Sequence, residues 1–140
     1  AGLFDATLLA EAGLTRLDMK DVTRYPISEE IIVPAPGQAA IAVQTRDEDG
    51  ELQTLLQQVH DAKTEREVTI ERSLLKRLGG GCALPLGCVC HIEGETAELR
   101  VFYANALGTE HYLATHHTPL SDIDTLLSQL IERLQHITTA

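Results

Sequence analysis

Between Leu86 and His116 three strand-length stretches, 86–92, 97–103 and 110–116, follow one another with only Glu93-Gly94-Glu95 and Asn105-Ala106-Leu107-Gly108 as turns. Connections this short join antiparallel neighbours, because a parallel return needs a crossover of a dozen or more residues. The segment therefore reads as an antiparallel meander. On either side of it the apolar period lengthens: Ile70, Leu74 and Leu78 share one helical face, and so do Ile123, Leu127, Leu130 and Leu134. The expected fold class is α+β, a three-stranded antiparallel sheet covered on one face by helices, starting near residue 48.

Local signals bound the helices. Leu52, Leu55, Leu56 and Val59 recur at helical spacing, so a helix of about three turns should end near His60. Thr64-Glu65-Arg66-Glu67 and Ser121-Asp122-Ile123-Asp124 read as capping patterns at two helix starts. Gly79-Gly80-Gly81 ends the helix before the first strand, since glycine adopts the left-handed conformation freely and sustains helix poorly.

Upstream the pattern changes. Leu3 to Ala10 is an apolar run of the kind found in buried strands, and Leu14, Leu17 and Met19 fit one or two helical turns ending near Asp21. Pro26 blocks a helix through Tyr25, 31–36 reads as an extended connector, and Ala39 to Thr45 is a small-residue and β-branched run expected to be a strand. A buried strand with nothing before it has no partners. The expected organisation is thus 1–33 as a strand-helix remnant of an upstream domain, 34–47 as a returning strand and linker, and 48–140 as a C-terminal domain, within a longer protein.

The formal net charge of -10 over 140 residues argues against nucleic acid or an anionic membrane surface as partner, because both require a concentrated basic face. No apolar run approaches the roughly 20 residues of a membrane helix, and the N-terminus lacks a signal-peptide pattern, so the expected location is cytoplasmic. Three cysteines without an export signal read as reduced thiols.

Cys82 is the candidate for chemistry. It follows the glycines that end a helix and precedes Ala83-Leu84-Pro85, on a loop where a side chain can project and backbone can approach a ligand. A thiolate is a strong carbon nucleophile, and a thioether to an activated methylene is a stable product of it. The plainer reading is a small buried hydrophobe. Cys82, Cys88, Cys90 and His91 also raise a zinc site, but alternation puts Cys88 and Cys90 on the face of Leu86 and Ile92, where core packing explains them better. No metal is expected. His111, His116 and His117 are expected at the surface, and no G-x-S-x-G supports a serine hydrolase.

Three blocks then carry a family resemblance. Gly80-Gly81-Cys82-Ala83-Leu84-Pro85-Leu86-Gly87, preceded by Val68, Glu71-Arg72 and Leu78, resembles the cofactor loop of porphobilinogen deaminases (hydroxymethylbilane synthases). Pro34-Ala35-Pro36-Gly37-Gln38-Ala39-Ala40-Ile41 resembles that family's Pro-Ala-Val-Gly-Gln-Gly-Ala-Ile. Asp5-Ala6 with Leu8-Leu9-Ala10, and Ala12-Gly13-Leu14-Thr15-Arg16-Leu17, resemble its Asp-Ala-Ile-Val-Leu-Ala and Ala-Gly-Leu-x-Arg-Leu.

The resemblance implies a transferase of tetrapyrrole (haem and porphyrin) biosynthesis with three domains. It implies a dipyrromethane cofactor, thioether-linked to Cys82, onto which four porphobilinogen molecules are joined with loss of ammonia. Arg16 would bind acetate and propionate side chains of substrate, and Gln38 would lie at the same cleft. Porphobilinogen and the growing linear tetrapyrrole would be the partners. The family's catalytic aspartate and most of its substrate-binding arginines have no counterpart in these residues, so no catalytic residue is assigned, and this chain alone is expected to be inactive with Cys82 unloaded.

Ala39 stands where the family has glycine, and its methyl is expected to demand a negative φ or narrow the cleft; Ala83 stands where the family has glutamine. The alternative to an enzyme part is a binding or self-association module. Apolar surfaces in 1–47 would then pair with another chain, a homodimer being the simplest form.

Overall fold

Alternating apolar residues on three consecutive strands make the sheet the organising element. In the computed structural model, which describes residues 2, 4–81 and 84–138, β1 (Leu86–Glu93), β2 (Thr96–Ala104) and β3 (His111–Pro119) form an antiparallel sheet in the order β1-β2-β3. The register sets Cys88 opposite Val101, Cys90 opposite Leu99 and Tyr103 opposite Tyr112. These residues share one face, and all are buried.

The helices are α1 (Glu11–Arg16), α2 (Gly50–Leu56), α3 (Ala62–Arg77) and α4 (Ile123–Thr138), with short 3-10 turns at 57–59 and 120–122. Ile70 and Leu74 of α3 and Leu127, Leu130 and Leu134 of α4 close over the apolar face of the sheet. Leu74, Leu99 and Leu134 are fully sealed, and burying each such side chain is worth about 1.5–3 kcal/mol. An Arg77–Asp124 ion pair joins the end of α3 to the start of α4.

α3 starts three residues earlier than the Thr64-x-x-Glu67 pattern predicts. Asp61 is the N-cap, its Oδ1 accepting the Thr64 N–H at 2.9 Å, and that backbone hydrogen bond is the largest cause holding the Asp61 carboxyl below its usual range. Glu67 is employed elsewhere, at the edge of β1. Before α4, the Ser121 hydroxyl donates to Asp122 at 2.9 Å within a 3-10 turn. The predicted end of α3 is where the glycines place it: Gly79 has φ +71, Gly79 N–H donates to the Lys76 carbonyl and Gly80 N–H to the Leu75 carbonyl, each at 3.1 Å. That pair of bonds is a Schellman cap.

The chain divides after Ile31 into two compact units, 1–31 and 32–140. In the first, α1 carries the buried Leu14, and Arg24 pairs with Glu11 at 2.9 Å. Two expected strands are corrected. Neither the described part of 3–10 nor 39–45 pairs into a sheet among the described residues. An extended run becomes a strand only when a neighbour takes its backbone hydrogen bonds, and composition does not supply the neighbour.

Candidate functional site

The site is built where α3 hands the chain to β1. After the Schellman cap, Gly80 packs so tightly that an added Cβ would lie 2.6 Å from Leu84 Cδ2 and 2.9 Å from Leu75 Cδ1. A side chain there would force Leu84 and Leu75 to move aside, so glycine gives the tightest descent of the chain. Cys82 and Ala83 lie outside the described residues, but their neighbours are fixed: Leu84 N–H donates to the Gly81 carbonyl at 3.2 Å, and Ala104 N–H to the Pro85 carbonyl at 3.1 Å. Gly81 and Pro85 are exposed. Beside the loop runs a groove of about 700 Å³ lined by Thr69, Arg72, Ser73, Lys76 and Gly80, among others. Arg72 and Lys76, four residues apart on α3, are exposed there.

β1 is an edge strand, and its outward N–H groups need acceptors. Cys88 N–H donates to the Pro34 carbonyl at 2.8 Å, Cys90 N–H to Glu71 Oε1 at 2.9 Å and Ile92 N–H to Glu67 Oε1 at 2.8 Å. Carboxylates one helical turn apart match alternate residues of a strand, since four helical residues rise about 6 Å and two strand residues about 6.6 Å. Glu71 is buried, and its Oε2 also accepts the Gly37 N–H at 2.6 Å. Burial pushes its carboxyl above the usual range, while the N–H groups of Gly37 and Cys90 oppose the shift.

The same strand settles the other two thiols. Cys88 and Cys90 are free and buried; burial, with the nearby Glu71 carboxylate, raises both, Cys90 to about 12 and Cys88 further. They are packing residues, inert as nucleophiles at neutral pH. Among the described residues no group of three or more His, Cys, Asp or Glu is placed to hold a metal ion.

Gln38 is exposed, in a turn closed by its own N–H to the Ala35 carbonyl at 3.0 Å. Of the two outcomes expected at Ala39, a negative φ or a narrowed cleft, the negative φ does not occur. Ala39 stands at φ +68, in the left-handed conformation that glycine takes without strain, held by the adjoining turn in which Ala40 N–H reaches the Gly37 carbonyl at 3.3 Å. Arg16 is the exposed last residue of α1, in the other unit from Gln38. His116 departs from the surface expectation: it is half-buried opposite Leu99, and its Nε2 lies 2.7 Å from the Tyr112 hydroxyl.

Sequence reasoning overlooked the edge-capping carboxylates and the cationic groove. Glu67 and Glu71 interrupt the stripe that holds Ile70 and Leu74, and an acidic pair on an otherwise buried helical face was the available signal.

Fold and site together define an α+β domain in which the turn from α3 toward β1 borders a groove with two exposed cations, Arg72 and Lys76. Two family models match the chain in succession: "Porphobilinogen deaminase, dipyromethane cofactor binding domain" over residues 1–54, and "Porphobilinogen deaminase, C-terminal domain" over residues 65–117. The chain belongs to the porphobilinogen deaminase family. The family activity is that of a transferase in tetrapyrrole biosynthesis with a dipyrromethane cofactor. Cys82 falls within the second matched stretch, Arg16 and Gln38 within the first.

Proposed function

We propose that Cys82 carries the dipyrromethane through a thioether, and that these residues supply the cofactor-bearing domain of a hydroxymethylbilane-forming enzyme. The observation that supports this reading is that the residues flanking Cys82 are held by the Schellman cap and the Gly81–Leu84 hydrogen bond, with Gly81 and Pro85 exposed and Arg72 and Lys76 lining the adjacent groove. The cofactor's acetate and propionate groups are anionic, so a cationic groove next to the attachment point fits them. When bound, the dipyrromethane supplies the primer to which porphobilinogen units are joined. The chain's own part is to present the thiolate, hold carboxylates through Arg72 and Lys76, and contribute Arg16 and Gln38 to substrate binding. The cytoplasm is the matching compartment for unpaired thiols; no helix among the described residues is long and apolar enough to cross a membrane.

Taken alone, the 140 residues should not turn over porphobilinogen. They hold 11 Lys and Arg against 21 Asp and Glu, an unfavourable balance for gathering a polyanionic product without further basic groups. The test is porphobilinogen consumption by a complete enzyme containing these residues, by its Cys82→Ser variant, and by the 140-residue chain. Consumption should appear only in the first. Turnover by Cys82→Ser would remove Cys82 from the attachment role.

A second reading is favoured by one observation: Phe4, Leu8, Leu9 and Ile41 are each at least 66% exposed. A second copy of the chain is one cover for them. Sedimentation of the 140-residue chain distinguishes a homodimer from a monomer.

A further inference from the structure

Glu71 differs from its neighbour Glu67 in the segments that it joins. Glu67 accepts from β1 at Ile92, whereas Glu71 accepts from β1 at Cys90 and, through its second oxygen, from Gly37. Gly37 immediately precedes Gln38. The segment is tied to the same strand edge at two further points: the Pro34 carbonyl accepts from Cys88 N–H at 2.8 Å, and Gly87 lies so close to Val33 that an added Cβ would be 2.6 Å from its carbonyl oxygen. Gly37 has φ +77, and a Cβ there would touch Val68 of α3 at 3.6 Å. α3, which carries Glu71, ends in the cap from which the Cys82 loop departs.

We infer that Glu71 is a positioning residue: its carboxylate clamps the turn bearing Gln38 to the domain bearing the Cys82 loop, fixing a substrate-side amide relative to the attachment point. The inference rests on the reading of Gln38 and Cys82 proposed above. The chemistry requires a carboxylate of this length. Two N–H groups arriving from segments far apart in sequence need two acceptor oxygens on one side chain, and glutamine would turn an NH₂ toward one of them. Aspartate is one methylene short. Because the bond from Cys90 is buried and that from Gly37 partly so, losing one leaves an N–H group short of its partner at the strand edge or in the turn.

The test compares Glu71→Gln with Glu67→Gln. In the 140-residue chain, amide hydrogen exchange at Gly37 and Gln38 should accelerate about tenfold or more in Glu71→Gln, with Leu99 and Val101 of the central strand unchanged. Glu67→Gln should leave Gly37 as it is. In the complete enzyme, Glu71→Gln should raise KM for porphobilinogen about fivefold with kcat within about twofold, and intact mass should show the cofactor load unchanged. Should Glu71→Gln fail to fold, Glu71→Asp takes its place with the same expected pattern. Unchanged exchange at Gly37, or equal acceleration in the central strand, would overturn the clamp. Exchange is read without catalysis, so it stands apart from the functional reading. If Gln38→Ala leaves KM unaltered while Glu71→Gln loosens Gly37, the substrate role of Gln38 falls, and the catalytic half of the inference with it.

Discussion

The sheet-and-helix domain and the first 31 residues use the same apolar side chains to opposite effect. Leu74, Leu99 and Leu134 are 0% exposed, whereas Phe4 is 87%, Tyr25 84% and Leu17 72% exposed. In the domain, the stripes of the sheet, α3 and α4 cover one another, β1 to β3 offering one face that α3 and α4 close, while Leu52, Leu55 and Val59 around α2 stay exposed. In residues 1–31 only Leu14 is buried among those described. Hydrophobic pattern states what needs covering; whether the cover lies in the same polypeptide is a separate fact.

The contrast is broken most sharply by truncation in both places. Leu99→Ala should cost about 2–5 kcal/mol in chemical denaturation, while Phe4→Ala should stay within about 0.5 kcal/mol. Comparable losses would mean that both regions share one core. Next in size is Gly87→Ala, whose methyl would meet the Val33 carbonyl oxygen at 2.6 Å. It should cost about 1–3 kcal/mol and free the Cys88 amide to exchange, because the obstacle is backbone and cannot rotate aside. Two smaller changes probe left-handed positions. Gly79→Ala, at φ +71, should cost about 1 kcal/mol through the α3 cap. Ala39→Gly, at φ +68, should gain up to about 1 kcal/mol by relieving the strain.

The smallest effect belongs to pH. Burial is the main cause lowering the His116 pKa, with Arg133 and His117 adding to it. The unfolded chain therefore takes up this proton first. The stability linked to His116 is present above its unfolded pKa of about 6.5 and is lost as pH falls through the lower folded value. The denaturation midpoint should drop between pH 7.5 and pH 5.5, and drop less in His116→Gln. An equal drop in both would assign the acid sensitivity to other groups.

Much of the domain was legible because its signals are local. Period-two apolar residues with short connections at 94–95 and 105–110 dictate the meander, and Gly79 dictates the end of α3. The start of α3 differs from the Thr64 pattern because Asp61 and Thr64 are both good caps, and Glu67, the partner that a Thr64 capping box needs, instead accepts from Ile92 at the sheet edge. The expected strand at 39–45 misled for a related reason, since pairing is a tertiary event. At the site, the Cys82 loop could be found from its glycines and its family resemblance. The double role of Glu71 could not, because it joins Gly37 to Cys90 and neither contact is near in sequence.

The central claim is that Cys82 bears the cofactor, and mass spectrometry tests it most directly. Intact mass and peptide mapping of a complete enzyme containing these residues should find a dipyrromethane-sized addition on the peptide holding Cys82, absent in Cys82→Ser, with a free thiol in the isolated 140-residue chain. An unmodified Cys82 peptide in an enzyme that still forms the linear tetrapyrrole would contradict it.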